Sequence, residues 1–193
     1  MDTRQVTRDE NGTMRCRECG FPYALAPGEV ADRADQAMAA VDDAVRAAPL
    51  TLRGRRPAPD VWSVNAYTAH LAEAALVIDG RIRRMAQEDR PALAAYDQDH
   101  TAAEGRFDER PADASLATLR ETVAACTVEM RSLSPERWQR TGLHAEAGEV
   151  RLSDIAHDLA HELEHHAADI RRVGAQVTQH GRDDRAGARE NRE

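Results

Sequence analysis

The run His157-Asp158-Leu159-Ala160-His161-Glu162-Leu163-Glu164-His165-His166-Ala167-Ala168-Asp169-Ile170 holds four of the chain's eight histidines and decides how it is read. Its apolar residues recur three and four apart, which is helical spacing. Advancing roughly 100° per residue from Leu159 places Ile155, Leu163, Ile170 and Val173 within about 40° of it, as one buried stripe. His166 falls inside this stripe. Glu162 lies on its shoulder at roughly 60°, with Asp169 at about 80° on the same side. His157, His161 and His165 fall on the outer face.

Residues four apart on a helix share a face, as two ligands of one metal must. The run offers two such pairs, His161 with His165 and Glu162 with His166. The second points inward, where a carboxylate beside an imidazole is costly unless paired or metal-bound. The plainer reading makes His166 a hydrogen-bonded core histidine and the outer histidines a solvated face. Helix geometry alone leaves both readings open.

Outward from this run, Ser153 has the chemistry of an N-cap and Gly174 that of a stop, which predicts a helix over 153–174. Similar periodicity predicts helices over 29–48, 62–89 and 113–133. Residues 49–61 form a proline-containing linker. Residues 91–112 lack a period, and a connection that long is often functional. Residues 139–152, with Gly142 and Gly148, suggest a small hairpin. The chain thus divides into a short N-terminal segment (1–28), a helical domain (29–178) and a charged tail (179–193) expected to be disordered.

Composition agrees. The chain has 193 residues, 41% hydrophobic but only 4% aromatic, which suits an alanine- and leucine-based helical bundle. The expected class is all-α, a four-helix bundle. A net charge of −8 argues against a nucleic-acid partner. No apolar run approaches a membrane span, no signal peptide opens the chain, and three cysteines are too few for a secreted disulfide scaffold. A cytoplasmic protein is expected.

Cys16-Arg17-Glu18-Cys19-Gly20 is half of a zinc knuckle. His161 and His165 have the spacing to complete a Cys2His2 site, which would pin the N-terminal segment to the last helix. The alternative is a reduced, unpaired cysteine pair. Cys126 falls in the core period of its helix and reads as a small buried hydrophobe.

Two further motifs, Trp62-Ser63-Val64-Asn65-Ala66-Tyr67-Thr68-Ala69-His70-Leu71 and Glu162-x-x-x-His166-x-x-Asp169-Ile170, together resemble the DinB/YfiT-like superfamily. The resemblance covers about 60–174 and implies an up-down four-helix bundle with a metal at one end. Its usual ligands are one histidine from the second helix and a histidine pair from the last. The mycothiol-dependent maleylpyruvate isomerase branch uses Glu-x-x-x-His, so the implied ligands here are His70, Glu162 and His166. The His161/His165 pair one position earlier would move the site; helical face and family register both favour Glu162 and His166.

Two nitrogens, one carboxylate oxygen and no cysteine are the donor set of a catalytic zinc rather than a structural one; nickel, iron or manganese would also fit. The resemblance implies transfer of a low-molecular-weight thiol such as mycothiol to a small electrophile, or thiol-dependent isomerisation. The metal would serve as Lewis acid and thiolate carrier. Asp169 or His165 would hydrogen-bond a ligand, and Tyr96, with Asp97, Asp99 and His100, would cover the open side; the plainer reading of that loop is a solvated connection. An actinobacterial subgroup also resembles this chain at Cys16-x-x-Cys19-Gly20-Phe21 and Tyr96-Asp97-Gln98-Asp99. The absence of lysine among 26 basic residues suits a high-GC genome. The superfamily is often dimeric, which implies a homodimer. The competing reading is a non-enzymatic metal-binding, regulatory or redox-sensing bundle. An iron site of the ergothioneine sulfoxide synthase type prefers His-x-x-x-His-x-Glu, which the inward register lacks.

Overall fold

A computed structural model describes residues 6–190, with side chains through Asp183. Four long helices carry it: α1 (Pro27–Ala47), α2 (Val64–Gln87), α4 (Ala112–Ser132) and α6 (Leu152–Glu190). Two short helices, α3 (Gln98–Glu104) and α5 (Pro135–Trp138), lie in the connections. An N-terminal hairpin pairs β1 (Val6–Arg8) with β2 (Met14–Cys16). A second small sheet sets β3 (Ala92–Leu93) parallel to β4 (Thr141–His144), which turns back into β5 (Gly148–Arg151).

The expected four-helix bundle is present, but its helices do not simply alternate up and down as the resemblance implies, because one connection is long. Helix α1 packs on α4 and α6, and α2 packs on the same two, so α1 and α2 lie across a diagonal. Directions follow from named contacts. Arg33 meets Glu164 and Ala48 meets Gly174, so α1 and α6 run parallel. Asp35 meets Thr127 and Asp42 meets Arg120, so α1 and α4 are antiparallel. Asn65 accepts from the Ala112 amide and Asp79 faces Cys126, so α2 and α4 are parallel. The sequence of directions is up, down, down, up. This explains the length of the 88–111 connection: it must return along α2, roughly 36 Å for 24 residues, before α4 begins.

The core is built from small and medium side chains, including Val30, Val41, Leu71, Ile82, Leu119, Val123, Leu159, Leu163 and Ile170. Alanines such as Ala31, Ala34 and Ala160 let the helices approach closely. Cys126 is buried in α4 as its period requires.

Helix α6 differs from expectation at both ends. It starts at Leu152, and Ser153 does not cap it; Asp154 Oδ2 accepts from the Arg151 amide at 2.9 Å. It also does not stop at Gly174. A Cβ there would meet Ala48 Cβ at 3.1 Å, so that glycine permits a close helix crossing. The helical backbone continues to Glu190, through much of the segment expected to be disordered, with Val177 buried and Gln179 donating to Asp183 at 2.9 Å. Residues 191–193 of that tail lie outside the described residues.

Candidate metal centre

Ser63, fully buried, caps α2 by accepting from the Ala66 amide at 3.1 Å. This sets the register that turns His70 inward, where it is 1% exposed. Trp62 packs on its ring at 5.2 Å between centroids, which accounts for the Trp-Ser motif. On α6, Glu162 and His166 point to the same spot. Glu162 Oε2 lies 3.2 Å from His70 Nε2 and 3.4 Å from His166 Nε2. The three donor atoms fall within 4.8 Å of one another. Ligands about 2.0–2.1 Å from a single tetrahedral ion are roughly 3.3 Å apart, so this trio fits one divalent cation.

Behind the trio, Asp169 takes the far side of His166. Its Oδ2 accepts from His166 Nδ1 at 2.8 Å, and Arg172 donates to Oδ1 at 2.6 Å. Asp169 is therefore a positioning residue and is not on the cavity wall. Burial opposes a charge on His166, but hydrogen bonds to Asp169 and Glu162 outweigh it and raise the imidazole pKa to about 9. Burial likewise opposes ionisation of Glu162, yet His166 and His70 hold its carboxyl well below the usual range. The constellation favours a positive charge between its carboxylates, as a cation-binding site should.

A cavity of about 380 Å³ opens from His70 and Glu162. The parallel pairing of β3 with β4 carries Tyr96 to its wall, with the Tyr96 ring stacked 6.4 Å from that of His70. Burial pushes the Tyr96 hydroxyl up to about 12, and that oxygen has no hydrogen-bond partner among the described residues. Other parts of the 91–112 segment serve elsewhere. Asp97 caps α3 and His100 pairs with Glu104 on the surface, while Asp99 lies outside this cavity.

Several wall residues escaped the sequence reading. Arg81 follows Ala74, Val77 and Ile78 along the His70 face of α2, a signal present in the spacing. Asp158 shares the side of α6 that carries Glu162; burial lifts its carboxyl to about 7, helped by the charges of Glu162 and Asp154. Tyr23 and Val6, from the N-terminal segment, also line the wall, with His144 and Glu146 from the β4–β5 hairpin.

The outer histidines are covered. The N-terminal segment lies over them, leaving His157 7% and His161 9% exposed. His157 is a structural clasp: its Nδ1 donates to the Ser153 carbonyl at 2.6 Å and its Nε2 accepts from the Leu25 amide at 3.0 Å. His161 and His165 stand instead beside Cys16 and Cys19, the four ligand atoms all within 4.8 Å.

A bundle of this order with an inward His/Glu/His trio matches a known family. The DinB superfamily profile matches residues 33–170, and the chain belongs to that superfamily. Among solved structures, YfiT from Bacillus subtilis, described as a probable metal-dependent hydrolase with an unusual four-helix bundle topology, superposes with a TM-score of 0.69. It is 18% identical, over 82% of this chain and 91% of its own. A mycothiol-dependent maleylpyruvate isomerase superposes with a TM-score of 0.63 at 19% identity, over 76% of this chain and 61% of that longer one. No curated protein matches the sequence. At these identities the likeness is one of fold.

Proposed function

We propose that the protein is a metal-dependent enzyme that joins a low-molecular-weight thiol to a small electrophile, or uses the thiol to isomerise one. The observation that carries this reading is the convergence of His70 Nε2, Glu162 Oε2 and His166 Nε2 at a cavity large enough for a small substrate. With three protein ligands and an open side, a divalent ion such as zinc would supply a Lewis acid that lowers the pKa of a bound thiol.

The chain's own residues do the rest. Asp169 holds His166 in one tautomer and one ring orientation. Tyr96, kept protonated by burial, donates a hydrogen bond or a proton to the electrophile. Asp158 titrates near neutrality and accepts the proton that the thiol releases. Arg81 presents a guanidinium suited to an acidic group on the substrate. Dependence on a cellular thiol such as mycothiol places the reaction in the cytoplasm. The outcome would be the same for a monomer or a homodimer, because all named residues come from one chain.

The test is consumption of a general electrophile with and without thiol, by metal-loaded parent and by His166→Ala. Turnover that needs both thiol and metal, and is lost in His166→Ala, supports the reading. Metal-dependent ester hydrolysis without thiol would replace it with a hydrolase. Metal binding with no turnover across several thiols would leave a non-enzymatic binding protein.

A further inference from the structure

We propose that Cys16, Cys19, His161 and His165 form a second, structural zinc site that staples the N-terminal segment to α6 and thereby builds one wall of the cavity. The proposal holds whichever reaction runs at Glu162.

The CxxC has the shape of a knuckle. Cys16 ends β2, and its amide donates to the Phe21 carbonyl at 3.0 Å. The Gly20 amide donates back to the Cys16 carbonyl at 3.0 Å, with Gly20 at φ +77°, a left-handed turn that glycine adopts without strain. The Phe21 amide is directed at the Cys19 sulfur. Both thiols are free, and Cys16 is 2% exposed.

Helix α6 supplies the other half. His161 and His165 are one turn apart, and Cys16 Sγ lies 3.8 Å from His165 Nδ1. Sulfur at about 2.3 Å and nitrogen at about 2.0 Å from a tetrahedral zinc are roughly 3.5 Å apart, close to the separation of this pair. His161 Nε2 is buried with no hydrogen-bond partner among the described residues, while its Nδ1 faces Glu162 at 3.8 Å. A buried, unpaired imidazole nitrogen on a histidine grouped with two cysteine sulfurs is explained by a ligand held among them. The outer nitrogen of His165 is also oriented: its Nε2 lies 3.3 Å from Glu18, a residue inside the CxxC itself. A carboxylate on the far nitrogen is how metal-bound histidines are held. Two thiolates and two imidazoles leave no open position, the mark of a structural site.

The consequence is architectural. The segment that carries the cysteines also brings Tyr23 and Val6 to the cavity shared with His70 and Glu162. Tyr23 packs on His161 at 5.3 Å and on Phe21 at 5.2 Å between ring centroids, so the knuckle positions that wall.

The experiment is zinc stoichiometry of the full chain, with cobalt(II) substitution, for the parent, Cys16→Ser, Cys19→Ser, His161→Asn and His166→Ala. Roughly two zinc ions per parent chain are expected, falling to one in each variant. Cobalt in the parent and in His166→Ala should show thiolate-to-metal charge transfer, which Cys16→Ser and Cys19→Ser should lose. The parent spectrum requires no variant to fold, so a misfolded cysteine variant does not spare the proposal. Cobalt loading without a thiolate band, metal content unchanged in Cys16→Ser, Cys19→Ser and His161→Asn, or a Cys16–Cys19 disulfide persisting in reduced, zinc-supplied protein would each overturn it.

Discussion

Asp169 and His166 form a fixed pair one helical turn apart: Oδ2 of the carboxylate accepts from Nδ1 of the ring at 2.8 Å. With Nδ1 so engaged, Nε2 is the nitrogen that faces Glu162 at 3.4 Å and is the one to give up its proton to a cation. Asp169→Asn removes the charge while keeping the shape. Metal affinity of the Glu162 site should fall about 10- to 100-fold in chelator competition, with helical circular dichroism unchanged. Affinity equal to the parent's would show that packing alone orients His166.

Metal uptake should release a proton. His166 carries its proton up to a pKa of about 9 before a cation arrives, and a cation must displace it. Apparent affinity should therefore rise with pH, about tenfold per unit between roughly pH 6 and 8, and level off above 9. Calorimetry in buffers of different ionisation enthalpy counts the protons. Affinity flat over this range would mean that the site binds metal with His166 already neutral.

Tyr96→Phe separates activity from stability. The hydroxyl is buried and unpaired among the described residues, so its removal should leave the protein as stable or up to about 1 kcal/mol more stable in denaturant unfolding. If Tyr96 donates a proton in the reaction, turnover should fall about 100-fold or more. Unchanged turnover would remove it from the chemistry.

Asp158 gives stability a pH dependence of known sign. Its folded pKa is about 7, above the ordinary 3.8, so the folded state binds its proton more tightly than the unfolded chain does. This contribution is fully present below about pH 4 and is lost as pH rises through 7. Asp158→Asn should flatten the fall in Tm between those values and raise Tm at pH 8. A steeper fall in the variant would mean that the carboxylate is stabilised by a partner rather than strained by burial.

Gly174→Val tests the crossing of α6 over the end of α1. Alanine would add helix propensity worth about 1 kcal/mol, but its Cβ would already meet Ala48 Cβ at 3.1 Å. A branched side chain cannot fit without separating the helices, and a loss of roughly 2 kcal/mol or more is expected in urea unfolding. A neutral result would place the α1–α6 contact elsewhere.

Much of this molecule was legible in local spacing. Periodic apolar residues located the four long helices, because each must bury one stripe. The same arithmetic put Glu162 and His166 inward, and the period of its helix put Cys126 in the core. The resemblance of two motifs then joined His70 to the pair, a contact 92 residues apart in the chain that periodicity alone cannot supply. Tertiary structure alone decided the rest. The up, down, down, up order follows from a return connection whose path no local pattern encodes. Gly174 reads as a helix end, yet it lies inside α6, where Ala48 presses close. His161 belongs to a face that looked solvated, and it is buried because Phe21 and Tyr23 fold over it. The sequence determined which faces are apolar and which residues share them. What covers each face, and hence which polar groups meet at a site, depends on long-range packing that only the assembled bundle contains.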